Sequence, residues 1–270
     1  MDPDQRREPG QPRPARSARR PWLALCPVLP LAAGVGKHFT VVHWDRRGAG
    51  KTLRRNGKKG CGEMSFERCV ADAVELAEYL RGYLNKDKIV LMAGSMGTLV
   101  GLPLVQRRPD LFSAYVCTDQ FVDMIRNEEE SYRLAGEHKA LAKIGADPRK
   151  WDLEAWSVKM RFTMDNAVAA KLFLPLLRRR EVYGLRDIPA LMRGFKYSKT
   201  ALFDEFMAND ARKFGTKFEV PVVLIQGAQD RVTVTSLARE HFEESRPRTR
   251  RWCCSRAPGT SAPPPTPASS

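Results

Sequence analysis

Histidine is the scarcest chemistry-bearing residue in this chain. Four occur in 270 residues, His38, His43, His138 and His241, and none follows position 241. Six cysteines show no metal-ligand spacing and have no histidine cluster beside them. Three lie near the ends (Cys26, Cys253, Cys254), and Cys61, Cys69 and Cys117 read as core thiols of a reducing cytoplasm. We therefore expect neither a metal nor a cofactor. Apolar runs of membrane-spanning length are also lacking. Arg19-Arg20 ahead of the apolar stretch Trp22 to Ala33 imitates a twin-arginine export signal, but export would leave the chain starting almost on a core strand. Cytoplasmic residence is the expectation.

Acidic residues are outnumbered, 31 against 46 basic ones, for a net charge of +15. The excess sits at the ends: residues 1–37 carry +4 and residues 246–270 carry +5, leaving +6 for everything between. Aromatic residues do not alternate with that charge as a base-stacking platform requires. The tails therefore read as solvated charge rather than a nucleic-acid surface, and no membrane partner is implied. Hydrophobic residues make up 43% of the chain, enough for a sizeable globular core.

The stretch around which the rest is organised is Lys88 to Gly101. A β-branched apolar run, Ile89 to Met92, stops at Gly94-Ser95-Met96-Gly97, and a helix-permissive segment to about Arg107 follows at once, with Pro103 as a kink. A serine nucleophile elbow needs that strand–turn–helix context and small residues around the serine. Ala93, Gly94 and Gly97 meet the size requirement, although Ala93 stands where the strict pattern has glycine. A strand ending in a glycine-rich loop with an incidental serine fits the pentapeptide equally well.

Taken in order, residues 1–37 form an atypical Pro/Arg-rich segment. Phe39 to Trp44 reads as a buried strand, Ser65 to Leu84 as an amphipathic helix capped by Ser65, and Phe112 to Thr118 as a further strand. Such alternation implies parallel crossovers and an α/β sheet, whose first part spans 38–119. Residues 120–216 break the alternation with helical patterns at Glu128–Ile144, Trp151–Phe162, Asn166–Arg178 and Ser198–Phe214. They read as a helical cap over the strand ends, where such sheets bind ligands. The sheet resumes over 217–245 with a strand at Glu219 to Gln226 and a helix from Ser236 to about Glu244. Residues 246–270 read as an atypical disordered tail without a strand. Asp45 to Thr52 ends in Gly-Lys-Thr, but a phosphate loop needs glycine where Asp45 stands, and Asn56-Gly57 interrupts the helix it requires. Within the cap, the run Glu128-Glu129-Glu130 reads as a solvated helix face, with recognition of a substrate amine as the alternative.

Together, Val41 to Thr52, the elbow at Ser95 and Val220 to Asp230 strongly resemble the α/β-hydrolase superfamily, in its proline iminopeptidase-like branch. That branch's D-x-R-G-x-G-x-[ST] pattern is met by Asp45, Arg47, Gly48, Gly50 and Thr52. The resemblance implies an α/β-hydrolase fold, a mostly parallel sheet with an inserted helical cap, and a serine hydrolase acting on an ester or amide through an acyl-enzyme. It implies Ser95 as nucleophile, the Met96 amide as an oxyanion donor and Asp230 as the acid of a triad. The substrate would be a small molecule or short peptide, in the latter case with an N-terminal proline. Two family parts are missing: a His-Gly-Gly-Pro-Gly-type loop before the strand at 39–44, and a histidine a couple of dozen residues beyond Asp230. Both ends share the Arg-Pro-Ala-Ser composition that a GC-rich gene gives out of frame. A rival reading is a hydrolase remnant that binds ligands without turnover.

Overall fold

The computed structural model describes residues 20–24 (as backbone), 38–164, 187–247 and 249–255. Six strands form one sheet: β1 (Arg20–Ala24), β2 (Phe39–His43), β3 (Ile89–Gly94), β4 (Phe112–Thr118), β6 (Val222–Gly227) and β8 (Arg250–Ser255). Their spatial order is β2-β1-β3-β4-β6-β8, and every pairing is parallel. A small second sheet pairs β5 (Lys217–Phe218) with β7 (Arg246–Pro247).

β3 is buried at all six positions, which is why it reads as a continuous apolar run rather than an alternation. Its odd-numbered residues Ile89, Leu91 and Ala93 join Tyr115, Cys117, Val222 and Leu224 in the main core. Three helices cover that face: α2 (Phe66–Leu84), α3 (Thr98–Arg107) and α9 (Thr235–Glu244). The even-numbered Val90 and Met92 point to the opposite face with Val116, Val41, Val223 and Ile225. α2 begins as its sequence demands, with the Ser65 hydroxyl accepting from the Arg68 amide at 3.1 Å. α3 lies so close to β3 that a Cβ on Gly101 would stand 2.5 Å from that of Ala93. The elbow's helix is thereby pressed onto its strand.

Both ends contribute more than their composition suggests. β1 sits between β2 and β3, so part of the atypical first segment is a central strand. Residues 250–255, expected to be disordered, form β8 along the whole of β6. The arginines that argued against a strand help to dock it. Arg250 donates to the carbonyls of Phe242 (3.4 Å), Glu243 (3.1 Å) and Ser245 (3.3 Å), closing the C-terminal end of α9. Trp252 packs on Phe242, with ring centroids 5.5 Å apart.

Between β4 and β5 lie α4 (Met124–Ala135), α5 (Lys139–Ile144), α6 (Leu153–Thr163), α7 (Ile188–Ala201) and α8 (Phe203–Met207), the region expected to form a cap. Gly136 ends α4, splitting the helix expected over 128–144, and residues 211–214 form a short 3-10 turn rather than the end of a long helix. The helix expected over 166–178 lies outside the described residues. Leu99, Phe121, Met124, Trp151, Trp156, Phe203, Phe206 and Met207 form a second apolar cluster that joins cap to sheet.

Candidate active site

Ser95 occupies the turn between β3 and α3 with φ of 49°. Left-handed backbone is uncommon outside glycine, and a serine holds it only where surrounding structure enforces it. Here the fully buried strand before it and the tightly packed helix after it do so. The Thr98 hydroxyl donates to the Ser95 carbonyl at 2.7 Å and fixes the turn's exit. Met96, the next residue, opens the helical segment, where backbone N–H groups have no acceptor within the helix. Its side chain lies at the margin of the cap's apolar cluster.

Asp230 follows β6. Its Oδ1 accepts from the amides of Val232 (2.8 Å) and Thr233 (3.0 Å), and its Oδ2 accepts from the Thr233 hydroxyl (2.6 Å). Gln226, itself fully buried, approaches the same oxygen at 3.5 Å and donates to the Thr233 carbonyl at 2.7 Å. These donors fix the carboxylate within its loop.

A second carboxyl, absent from the sequence reading, lies beside it. Asp119 follows β4 directly, has φ of 52°, and its amide donates to the Ile225 carbonyl at 3.2 Å. Burial, reinforced by the neighbouring negative charge of Asp230, pushes its pKa up to about 6. Of the three described non-glycine residues with positive φ, Asn85 closes α2, while Ser95 and Asp119 end neighbouring strands. The register Gly94↔Thr118 makes Ser95 and Asp119 the next residues along adjacent strands. A lone Asp after an apolar strand gives no motif; only the register reveals it.

Helices α4 and α6 brace the Asp230 loop. Asn127 donates to the Val232 carbonyl at 2.8 Å and accepts from the Val234 amide at 2.9 Å. Ser131 donates to the Arg231 carbonyl at 2.5 Å and accepts from Lys159 Nζ at 3.0 Å. Lys159 is 0% exposed and ion-paired with Glu128, which is 1% exposed. Burial holds the Lys159 pKa below the ordinary lysine value, against the pull of Glu128. The glutamate run is therefore not one solvated face. Glu128 is locked inside, whereas Glu129 pairs with Arg149 (2.7 Å) and Glu130 with Arg133 (2.5 Å). Each carboxylate already has a cation, which gives no support to amine recognition by this run.

The Asp45–Thr52 loop is structural. The Asp45 carboxylate accepts from the Lys51 amide at 2.8 Å, at the start of α1 (Gly50–Asn56). A Cβ on Gly50, whose φ is 40°, would come 2.3 Å from Asp45 Oδ2. The helix that starts here ends at Gly57 after seven residues, at the Asn56-Gly57 break expected from the sequence. Arg47 ties the loop to Asp72 of α2, with a second donor at 2.7 Å.

No described histidine accompanies Asp230. His38 precedes β2, and His43 ends that edge strand, with β1 between it and β3. His138 is exposed at the start of α5 and stacks on Phe162. His241 is buried within α9, where Glu244, Asp210 and Arg212 supply its electrostatic surroundings and burial lowers its pKa. Cavities of about 640 Å³ between α1 and α7, and about 670 Å³ beside α9, include neither Ser95 nor Asp230 in their walls. Among the described residues, no helix is long and apolar enough to cross a membrane.

Comparison with known proteins agrees with this architecture. A probable aminopeptidase, YbaC of Bacillus subtilis (strain 168), is 27% identical over 233 residues, covering 80% of this chain and 72% of that protein. The proline iminopeptidase-related protein TTHA1809 from Thermus thermophilus superposes with a TM-score of 0.55 at 19% identity, covering 88% of this chain and 81% of that one. The enol-lactonase from Burkholderia xenovorans LB400 gives 0.55 at 18% identity, covering 88% and 83%. These two structures share the α/β-hydrolase fold. The family model "Serine aminopeptidase, S33" matches residues 35–255, and the chain belongs to that family of α/β hydrolases.

Proposed function

We propose that the chain is a serine hydrolase of the aminopeptidase kind, attacking an ester or amide carbonyl through an acyl-enzyme on Ser95. The observation that carries this is the left-handed serine at the carboxyl end of a fully buried central strand, clamped by a helix in close contact. In this reading the Met96 amide donates to the developing oxyanion, and Asp230 supplies the fixed negative charge that stabilises a protonated partner. The aromatic cap cluster, which reaches Met96 and Val232, gives the acyl group an apolar roof. A short peptide with an N-terminal proline is the first substrate to try, on the strength of the Asp45–Thr52 pattern's resemblance to the proline iminopeptidase-like branch and of the aminopeptidase family.

The test is labelling by a fluorophosphonate probe, with hydrolysis of a proline anilide as the second readout. We expect Ser95 to be modified in wild type and the label to vanish in Ser95→Ala. Folded protein that takes no label and turns over no activated ester refutes the proposal. A second reading, a ligand-binding protein without turnover, is favoured by the absence of a described histidine near Asp230. Its mark is a raised unfolding temperature with peptide in a protein that hydrolyses nothing.

A further inference from the structure

Two cationic elements meet at the cavity between α1 and α7, about 640 Å³ in volume, whose lining includes neither Ser95 nor Asp230. We infer that this cavity is a second binding site, which takes an organic phosphate carrying two or more negative charges. The inference goes beyond the hydrolase reading and does not depend on Ser95.

The walls follow from how the two helices meet. Gly194 of α7 packs so closely that a Cβ there would stand 3.0 Å from the Gly50 amide nitrogen and 3.1 Å from Ala49 Cα. The Ser198 hydroxyl donates to the Gly48 carbonyl at 2.9 Å, which fixes the same contact. Beside it the cavity opens. On α7 it is lined by Ala190, Arg193 and Tyr197, whose spacing of three and four places them on one helix face. From α1 come Leu53 and Arg54, and Lys58 follows just past the end of that helix. Leu53 and Ala190 are buried and make an apolar floor.

Four exposed cations, Arg54, Lys58, Arg193 and Lys196, stand around that floor, and among the described residues no carboxylate lines it. Arg54 is paired with Asp187 at 2.8 Å. The other three have no carboxylate partner among the described residues. Lys58 lies over the Tyr197 ring, 5.4 Å from its centroid, and Arg193 donates from Nε to the Pro189 carbonyl at 3.2 Å. Like charges gathered round one concavity repel one another and attract the same counter-ion. A single carboxylate would leave two of the three unmet. A phosphate ester of two or more charges meets them all, and its oxygens suit the planar fork of an arginine. The volume is that of a pocket for a whole small ligand rather than a bare ion, and the apolar floor with the Tyr197 ring gives the organic part a surface. This site lies at the other end of α1 from the Gly-Lys-Thr turn, so it is distinct from a phosphate loop.

The test is titration calorimetry of the full chain with adenosine 5′-diphosphate as the probe, at low salt and at 1 M salt, with thermal unfolding alongside. Wild type should show one saturable site, weakened by salt, and a higher unfolding temperature with the nucleotide. Because the chain carries a net charge of +15, a matched control decides the matter. Arg193→Glu combined with Lys196→Glu should weaken binding by roughly tenfold or more. Lys139→Glu combined with Lys143→Glu, the same change of charge at exposed positions of α5, should leave the affinity as it is in wild type. Equal weakening by the two pairs would show attraction to net charge alone and overturn the inference, as would wild type that does not saturate. Inorganic pyrophosphate that binds as tightly as the nucleotide overturns the part assigned to the apolar floor. None of these outcomes bears on labelling of Ser95, so failure here leaves the hydrolase reading standing.

Discussion

Glu128 and Glu129 are consecutive residues of one helix, yet they meet different physics. Glu128 faces the acid loop, is 1% exposed, and is paired with a lysine that is 0% exposed. Glu129 faces solvent and reaches an arginine that is itself 63% exposed. The inward stripe of α4 is Met124, Asn127, Glu128, Ser131 and Ala135, spaced three and four apart as a helix face must be. Three of its five members are polar, and each bears on the Asp230 loop directly or through Lys159. The difference teaches that a run of like charges has no common role when the helix turns each member about 100° from the last. The inner face is where the cap couples to the candidate chemistry.

The largest expected effect comes from breaking the inner pair on one side. Lys159→Met leaves Glu128 buried without a cation, and loss of one partner of a buried pair typically destabilises by about 3–5 kcal/mol. Urea unfolding should show this drop. Combining Lys159→Met with Glu128→Leu should recover most of it, because the uncompensated charge is then gone. If the single variant is as stable as wild type, the inner face is no different from the outer one. Since Ser131 bridges Lys159 to the Arg231 carbonyl, the single variant should also loosen the Asp230 loop, read as faster amide exchange at Val232 and Thr233.

Next in size is a buried acid that faces another acid instead of a cation. Asp119 has its pKa raised to about 6 by burial and by Asp230. Between about pH 4, where the unfolded chain ionises, and about pH 6, the folded state binds the extra proton, so stability falls as pH rises through that window. The full change is on the order of 2–3 kcal/mol at about 1.4 kcal/mol per pH unit. Asp119→Asn should flatten this slope and unfold at higher denaturant than wild type at pH 7. An unaltered slope would mean that burial and the neighbouring Asp230 do not raise the Asp119 pKa.

The parallel sheet, the elbow and the acid loop were legible because each is local: a β-branched run, small residues around a serine, an aspartate whose own turn satisfies it. Ser65 could be read as a cap because capping spans three residues. Asp119 and the Glu128–Lys159 lock were not legible. Their partners are about 110 and 30 positions away, and nothing in the polarity of Glu128 or Lys159 distinguishes them from surface residues. β8 was hidden for a related reason. Its arginines argue against a strand until the open end of α9 is there to receive Arg250.

The smallest effect is the control on the comparison. Arg149→Ala removes the outer pair with Glu129, along with the longer contact to Asp147 at 3.5 Å. Exposed pairs gain little over their hydrated partners and lose side-chain freedom in forming. The unfolding midpoint should therefore stay where it is in wild type, at low salt and at 1 M salt alike. The inner pair should resist salt for a different reason, because mobile ions do not reach it. A midpoint that falls on removing Arg149, and falls less as salt is added, would show that the outer face contributes charge energy of its own. It would erase the distinction between two neighbouring glutamates on which the coupling of cap and acid loop depends.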